Sequence, residues 1–95
     1  MNASNIGRVN ELHAQVWLLE QGYQVFQNVS PVGPADLVIW DYETNTFTAI
    51  DVKTVTPYLK EDGTKTYKSS LGSTKKRDNV TYLGYCKEEN SFTWL

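Results

Sequence analysis

Residues 36–54, DLVIWDYETNTFTAIDVKT, hold the pattern that decides the fold. The apolar run at 36–40 indicates a central strand covered on both faces, the polar run at 41–46 indicates a turn, and residues 47–55 indicate a strand that folds back on the first. Near its end this second strand carries an acid and a base, Asp51 and Lys53. Because side chains alternate along a strand, these two share a face, and the turn brings Asp36 close to Asp51.

An amphipathic helix is predicted upstream, over residues 5–21. Ser4 or Asn5 is expected to cap its start, and Gly22 to end it in a left-handed conformation. The helix carries two stripes of side chains on different faces. The first stripe consists of Leu12, Val16 and Leu19. The second consists of Ala14, Leu18 and Glu11. We therefore expect the sheet to cover one side of the helix, and further chain or a partner subunit to cover the other.

The remaining segments complete an α/β (α+β) chain with a central mixed sheet. Strands are predicted at 23–27, 80–86 and 91–95. Residues 57–79 lack a clear period and are rich in Gly, Ser, Thr and Lys, which predicts a mobile basic loop with room for one short hairpin. The predicted order is α-β-β-β-loop-β-β, and residues 1–95 are expected to form a single domain.

Charge is distributed unevenly along the chain, although the formal net charge is −2. Residues 1–52 hold six acids and one base, Arg8, whereas residues 53–77 hold seven of the nine bases. A basic region of this kind can attract a polyanion to one face of a nearly neutral protein.

The remaining composition limits the protein's compartment and its metal sites. A single cysteine, Cys86, has no partner for an internal disulfide, and one Cys with one His cannot form a structural zinc site. The polar N-terminal stretch and the lack of a long apolar run predict neither a signal peptide nor a membrane span. We expect an intracellular, cytoplasmic protein, in the host cytoplasm if a phage encodes it.

The convergence of Asp36, Asp51 and Lys53 suits one kind of chemistry. Two close carboxylates repel each other, and burying them is costly unless a cation offsets the charge. Lys53 offsets one, whereas a divalent cation such as Mg²⁺ would offset both, together with waters and phosphate oxygens as further ligands. This arrangement predicts metal-assisted phosphodiester hydrolysis, with Glu11 reaching the site from the helix.

The same residues resemble the PD-(D/E)xK nuclease superfamily. The stretch IGRVNELHAQVWLLEQGYQVFQNVSPVGPADLVIW, followed by FTAIDVKT, is similar to its small Holliday-junction resolvase-like and phage or intron-encoded members. The resemblance covers residues 6–54 and implies a restriction-endonuclease-like core. Glu11 matches the helix glutamate, Asp36 the aspartate of the PD element, and Asp51 with Lys53 the (D/E)xK pair. Ala35 stands directly before Asp36, so the PD element is loose.

The resemblance implies a DNA endonuclease that depends on Mg²⁺, with Mn²⁺ able to substitute, and that acts as a homodimer or higher homo-oligomer. The implied catalytic residues are Asp36, Asp51, Lys53 and Glu11. The implied metal ligands are Asp36, Asp51 and Glu11. The basic stretch is expected to contact the DNA backbone. Its expected contact residues are Lys60, Lys65, Lys68, Lys75, Lys76 and Arg77.

Several alternatives for the substrate stay open at this point. The short chain has no added recognition domain, which favours cleavage selective for branched DNA or only weakly specific for sequence. A phage or intron homing-type endonuclease is an alternative, and so is an RNA nuclease, because the metal chemistry does not choose the sugar. An alternative of another class is a non-catalytic nucleic-acid-binding protein on a degenerate nuclease fold.

Overall fold

The computed structural model of the protein describes residues 2–30, 32–69 and 77–95. These residues form a mixed α+β fold, as predicted, in which one helix precedes six strands. The elements are α1 (Ala3–Glu20), β1 (Gln24–Gln27), β2 (Leu37–Asp41), β3 (Thr46–Leu59), β4 (Lys65–Ser69), β5 (Thr81–Cys86) and β6 (Ser91–Trp94). The strand order is β1-β2-β3-β5-β6, and β4 pairs with β3 outside this path. Strands β3 and β5 run parallel, and the other paired strands are antiparallel.

The hairpin of β2 and β3 matches the prediction from the opening stretch. Leu37 pairs with Ile50 at one end and Asp41 with Thr46 at the other. The turn contains Asn45 at a positive φ of 56°, a conformation that asparagine tolerates better than most residues. The indole of Trp40 donates to the Asn45 side chain over 3.1 Å. This hairpin fixes the register that positions Asp36 beside Asp51.

The start of α1 differs from the prediction, whereas its end agrees with it. Asn2, rather than Ser4 or Asn5, is the cap, because α1 begins at Ala3 and the Asn2 side chain accepts from the Asn5 amide at 2.9 Å. Gly22 has a φ of 97°, which confirms the predicted left-handed end.

The core lies between the helix and one face of the sheet. Ala14 and Leu18 are fully buried, which places the second stripe of α1 against the strands. The buried strand residues that they join are Leu37, Ile39, Ile50 and Leu83. The first stripe faces outward in the described part of the chain, with Leu12 47%, Val16 55% and Leu19 57% exposed. The predicted sheet cover is confirmed, and cover for the outer stripe stays a prediction.

The segment predicted as a basic loop at 57–79 contains the short hairpin for which the sequence left room, and its first residues extend the preceding strand. Strand β3 continues to Leu59 and pairs with β4, so residues 55–59 and 65–69 form an antiparallel ribbon. The connecting turn is built by Gly63 at a φ of 86° and by the Asp62 carboxylate, which accepts from the Thr64 amide at 2.8 Å. Of the basic residues expected in that loop, Lys75 and Lys76 lie outside the described residues.

No helix in the described ranges is both long enough and apolar enough to cross a membrane.

Gly84 in β5 lies beside Lys53 in the sheet and has no room for a side chain. A Cβ at this position would meet a methyl group of Val55 at 2.9 Å and one of Leu95 at 3.1 Å. We therefore expect Gly84→Ala to lower the free energy of unfolding by about 1–3 kcal/mol, the usual cost of overpacking a core. Chemical denaturation measures this. Gly7→Ala in α1 is the control, because a Cβ there meets nothing within 4 Å and should not destabilise the protein. Equal stability of Gly84→Ala and the parent would contradict the prediction.

Candidate metal and phosphodiester site

Asp36 lies directly before β2 and is fixed to β3 by two hydrogen bonds. Its backbone amide donates to the Ile50 carbonyl at 2.8 Å, and its carboxylate accepts from the Val52 amide at 2.7 Å. Both contacts continue the register that begins with the pairing of Leu37 and Ile50. The Asp36 carboxylate is therefore positioned by the backbone, and it interacts with that of Asp51.

Asp51 and Lys53 form an ion pair on β3. The Lys53 Nζ lies 3.0 Å from the Asp51 Oδ2, and the two side chains are 21% and 17% exposed, respectively. The Lys53 Nζ also lies 6.0 Å from the ring centre of Tyr82, on the neighbouring strand β5. The Lys53 ammonium thus lies between Asp51 and Tyr82, and both charged side chains keep a small solvent-exposed fraction.

Glu11 reaches this group from the helix. Its carboxylate is close enough to Asp36 to raise the pKa of that residue, and it accepts from Arg8 over 3.3 Å. The neighbouring residue Asn10 is buried and donates to the Thr54 hydroxyl at 2.6 Å, which ties this turn of α1 to β3. The structure therefore brings together all four residues that the sequence singled out.

The carboxyl groups of the site are harder to ionise than free carboxyl groups. Burial, followed by the proximity of Asp36, raises the pKa of Asp51 to about 6, although Lys53 opposes the shift. Burial also raises the pKa of Asp36, and Glu11 adds to that effect, whereas the hydrogen bonds with Asp51 and Val52 oppose it. The folded chain thus holds negative charges whose repulsion Lys53 only partly offsets.

These donors fit a hard divalent cation. Carboxylate oxygens are preferred ligands of Mg²⁺, which commonly takes one or two of them and completes its shell with waters and phosphate oxygens. Across residues 2–30, 32–69 and 77–95, no three His, Cys, Asp or Glu side chains form a ready-made metal cage. Asp36 and Asp51 would offer such a cation two carboxylates, and a bound cation would offset the repulsion between them.

A cleft of about 550 Å³ leads to the site and was not anticipated from the sequence. It runs between the first half of α1 and the segment before β2, and Glu11 and Asp36 lie in its wall. Arg8 also lines it and is half exposed. Arg8 is the sole base among residues 1–52. Its isolation in an acidic stretch was the sequence signal that could have marked it as a candidate site residue.

Among the basic residues expected to contact DNA, those that the structure describes lie mainly on the ribbon of β3 and β4 and in its turn. Lys65 is paired with Glu89, which follows β5, and Lys68 Nζ lies 3.9 Å from the ring centre of Tyr58. Lys60 is exposed in the turn between these strands. Arg77, also exposed, lies before β5, where its backbone amide donates to the Tyr82 hydroxyl at 3.0 Å. The predicted basic surface is therefore partly an ordered ribbon.

Comparison with known proteins shows the fold. No protein family model matches the chain. No curated protein matches it either. The chain is similar to the solved structure of a bacterial homing endonuclease, I-Ssp6803I, with a TM-score of 0.71 and 21% sequence identity. The similarity covers 99% of this chain, which spans 64% of the length of that one. The α+β architecture with a leading helix is therefore one that an endonuclease also adopts.

Proposed function

We propose that this chain is a Mg²⁺-dependent DNA endonuclease of the PD-(D/E)xK type. The observation that carries the proposal is the convergence of Asp36, Asp51 and Lys53 at the start of β2, with two close carboxylates and an ammonium 3.0 Å from one of them. Exposed ion pairs seldom raise the pKa of their own carboxylate, whereas sites built for a cation or for proton transfer commonly do. Hydrolysis of a phosphodiester is the chemistry that best fits such a group.

Each residue of the site has a distinct role in this proposal. Asp36 and Asp51 would hold the cation, with Glu11 beside Asp36 as a further ligand or a contact through water. Mg²⁺, or Mn²⁺ in its place, supplies charge for the phosphate and a more acidic bound water. Lys53 positions its ammonium where negative charge develops on the phosphate, and it keeps Asp51 ionised.

The choice of DNA as the polymer is supported by the structural neighbour, whose name states that it is a homing endonuclease. That neighbour adds weight to a phage or intron homing-type enzyme beside a Holliday-junction resolvase-like one. Both would use the same chemistry and would differ in the shape or sequence of the DNA that they accept. A direct comparison of substrates separates them.

A homodimer is part of the proposal. One site cuts one strand, so symmetric cleavage of a duplex or a junction requires two copies related by a two-fold axis. The outer stripe of α1, formed by Leu12, Val16 and Leu19, is exposed and apolar and lies on the face of the helix opposite the core. Such a stripe is suited to pack against a second subunit without covering Asp36 or Asp51.

The decisive test is cleavage of labelled duplex, flap, single-stranded and four-way-junction DNA in the presence of Mg²⁺ or Mn²⁺. We expect the parent to cut at least one of these DNAs, EDTA to abolish cutting, and Asp51→Ala to be inactive because one of the two carboxylates is lost. Glu43→Gln removes an exposed carboxylate from the β2–β3 turn and serves as the matched control, which should cut like the parent. An Asp51→Ala variant that cuts as fast as the parent would contradict the proposal.

Two other outcomes would change the proposed function. Cleavage of RNA but of no DNA would reassign the substrate. Binding of DNA without any cleavage would support the non-catalytic alternative.

A further inference from the structure

Among the described residues that line the cleft beside α1, Arg8 alone is positively charged. It lies one helical turn before Glu11, and both side chains form the wall of the cleft together with Asp36. The Arg8 side chain is 52% exposed, whereas that of Glu11 is 26% exposed. The arginine is therefore accessible to an anion that enters the cleft toward the carboxylates.

We infer that Arg8 binds a phosphate of the DNA strand that is cut, near the phosphate where cleavage occurs, and so positions this strand over Asp36 and Asp51. The inference rests on the proposed nuclease function and deepens it, because it gives the phosphodiester backbone a second contact in the same cleft. Arg8 is a positioning residue in this scheme, since the phosphate that it holds does not react.

The guanidinium of Arg8 is held in place by two acceptors. Its Nη1 donates to the Glu11 carboxylate over 3.3 Å. Gln27 of β1, with its amide oxygen turned toward Arg8, accepts from Nη2 at 2.8 Å and from Nη1 at 3.1 Å. A head group that is already held from two sides loses less freedom when it binds a ligand.

These contacts leave one edge of the guanidinium for a ligand. Arginine has five N–H groups, and the contacts with Glu11 and Gln27 use three of them. Because the Gln27 oxygen contacts both terminal nitrogens, the two N–H groups that are left, on Nε and Nη2, point in the same direction. A phosphate can accept two parallel hydrogen bonds from such an edge, which is the geometry of a strong bidentate contact.

A purely structural role explains this part of the helix poorly. An ion pair within a helix is weaker when the base precedes the acid, so the pair of Arg8 and Glu11 adds little to stability. Gly7 also lines the cleft, and a Cβ there would meet nothing within 4 Å, so packing against the described chain does not require a glycine. A glycine inside a helix is costly, and here it leaves the cleft open to an approaching DNA backbone.

Arg8 and Lys53 approach the acids from different sides. Ile50 packs against α1, and side chains alternate along β3, so Asp51 and Lys53 project from the opposite face of the sheet. Successive contacts of the three carboxylates connect the two cations. These acids meet at the start of β2, so a strand that crosses this end of the sheet can contact Arg8 and Lys53 through different phosphates.

The test replaces single phosphates with neutral methylphosphonates, one position at a time along each strand. Anisotropy in EDTA measures the affinity of the metal-free protein for each DNA, using the DNA of the cleavage panel that binds most tightly. For the parent we expect a methylphosphonate at one position near the cut, but not at it, to lower affinity by roughly tenfold. Arg8→Ala should bind unmodified DNA roughly tenfold more weakly and lose its sensitivity at that position alone, since the contact is already absent.

Arg77→Ala is the matched control, because it removes the other arginine of the chain, an exposed residue before β5. It should bind more weakly but keep the parental sensitivity at the position assigned to Arg8. Arg8→Lys should recover only part of the affinity, since lysine keeps the charge without the parallel donors. Circular dichroism and thermal melting check that these variants, altered at half-exposed or exposed positions, remain folded.

The inference is overturned if Arg8→Ala responds to every methylphosphonate as the parent does, or if it loses sensitivity only at the phosphate that is cut. Mapping the cut in unmodified DNA with Mg²⁺ locates that phosphate. An Arg8-dependent phosphate without any cleavage would sustain the contact and refute the nuclease. Cleavage without an Arg8-dependent phosphate would do the reverse.

Discussion

Replacement of Lys53 by alanine is expected to lower the rate of DNA cleavage by about a hundredfold or more, the usual cost of removing one charged or hydrogen-bonding group aimed at the transition state. The ammonium lies 3.0 Å from the Asp51 carboxylate on the sheet face that they share, so it is adjacent to the place where a phosphate would meet the proposed metal ligands. Affinity for duplex DNA should change little, because Lys53 is one cation among several and its side chain is largely buried.

The measurement is a single-turnover cleavage rate with enzyme in excess over labelled DNA, beside anisotropy of the same DNA without metal. Lys87→Ala removes an exposed lysine from the turn between β5 and β6 and provides the control for charge. Lys53→Arg tests whether the position requires a compact ammonium group. Arginine keeps the positive charge, but its head group is larger and planar. A Lys53→Ala enzyme that cuts at the parental rate would remove Lys53 from the mechanism. A loss confined to affinity would make it a DNA-binding residue.

The proximity of the four candidate side chains could be predicted from the sequence, because it depends largely on local register. One hairpin joins Asp36 to Asp51, and the turn at 41–46 is short enough to allow essentially one pairing. Lys53 follows from the two-residue period of the strand. Glu11 was placed by its position on the stripe with Ala14 and Leu18, which proved to be the stripe that faces the sheet. These inferences used the hydrophobic pattern, the alternation of side chains along a strand and the resemblance to the nuclease superfamily.

From the sequence the ribbon was expected only as room for one short hairpin within residues 57–79, because β4 and the turn before it lack a hydrophobic period. Thr, Tyr and Lys follow one another along residues 64–69 without a hydrophobic period, and Pro57 lies within β3, although a proline usually argues against a strand. Backbone pairing and the contacts of Lys65 and Tyr67 with Glu89 stabilise it instead. The parallel pairing of β3 with β5 is likewise a long-range choice that no local pattern encodes.

The cleft and Arg8 escaped prediction for a related reason. The cleft forms between α1 and the irregular segment before β2, and the path of such a segment is set by individual contacts rather than by a period. One of these is the hydrogen bond of 2.9 Å from the Asn28 side chain to the Ala35 carbonyl. The sequence analysis considered only Ser4 and Asn5 as caps, and Asn2 was missed because Asn and Ser have similar capping strength, so residue type alone does not locate the cap.

Replacement of Asp51 by asparagine should make the metal-free protein more stable near neutral pH, even though it removes a functional group. In the folded chain the pKa of Asp51 is raised from 3.8 to about 6 by burial and by Asp36. Between these two values the folded state binds a proton that the unfolded state has already released, so the free energy of unfolding falls as pH rises through this window and stays low above it. An uncharged asparagine avoids this cost.

The expected gain for Asp51→Asn above pH 7 is about 1–2 kcal/mol. The full shift in pKa corresponds to at most about 3 kcal/mol, and part of the gain is lost because Lys53 no longer has its partner. For a domain of this size the gain raises the melting temperature by roughly 5–10 °C. Well below pH 3.8 the advantage should disappear, since Asp51 is then protonated in both states of the parent.

Thermal and chemical unfolding of parent and variant in EDTA, at several pH values, measure this difference directly. Asp62 and Glu89 have lowered pKa values, the first from hydrogen bonds with Thr64 and the second from Lys65, but both proteins share these groups and their effects cancel in the comparison. Mg²⁺ provides the complementary test: it should raise the melting temperature of the parent above pH 7 by mass action and leave Asp51→Asn almost unchanged. A variant less stable than the parent at neutral pH would mean that the Lys53 ion pair outweighs the repulsion between Asp36 and Asp51. Asp51 and Lys53 would then form a structural ion pair, because no net repulsion between the carboxylates would remain for a cation to offset.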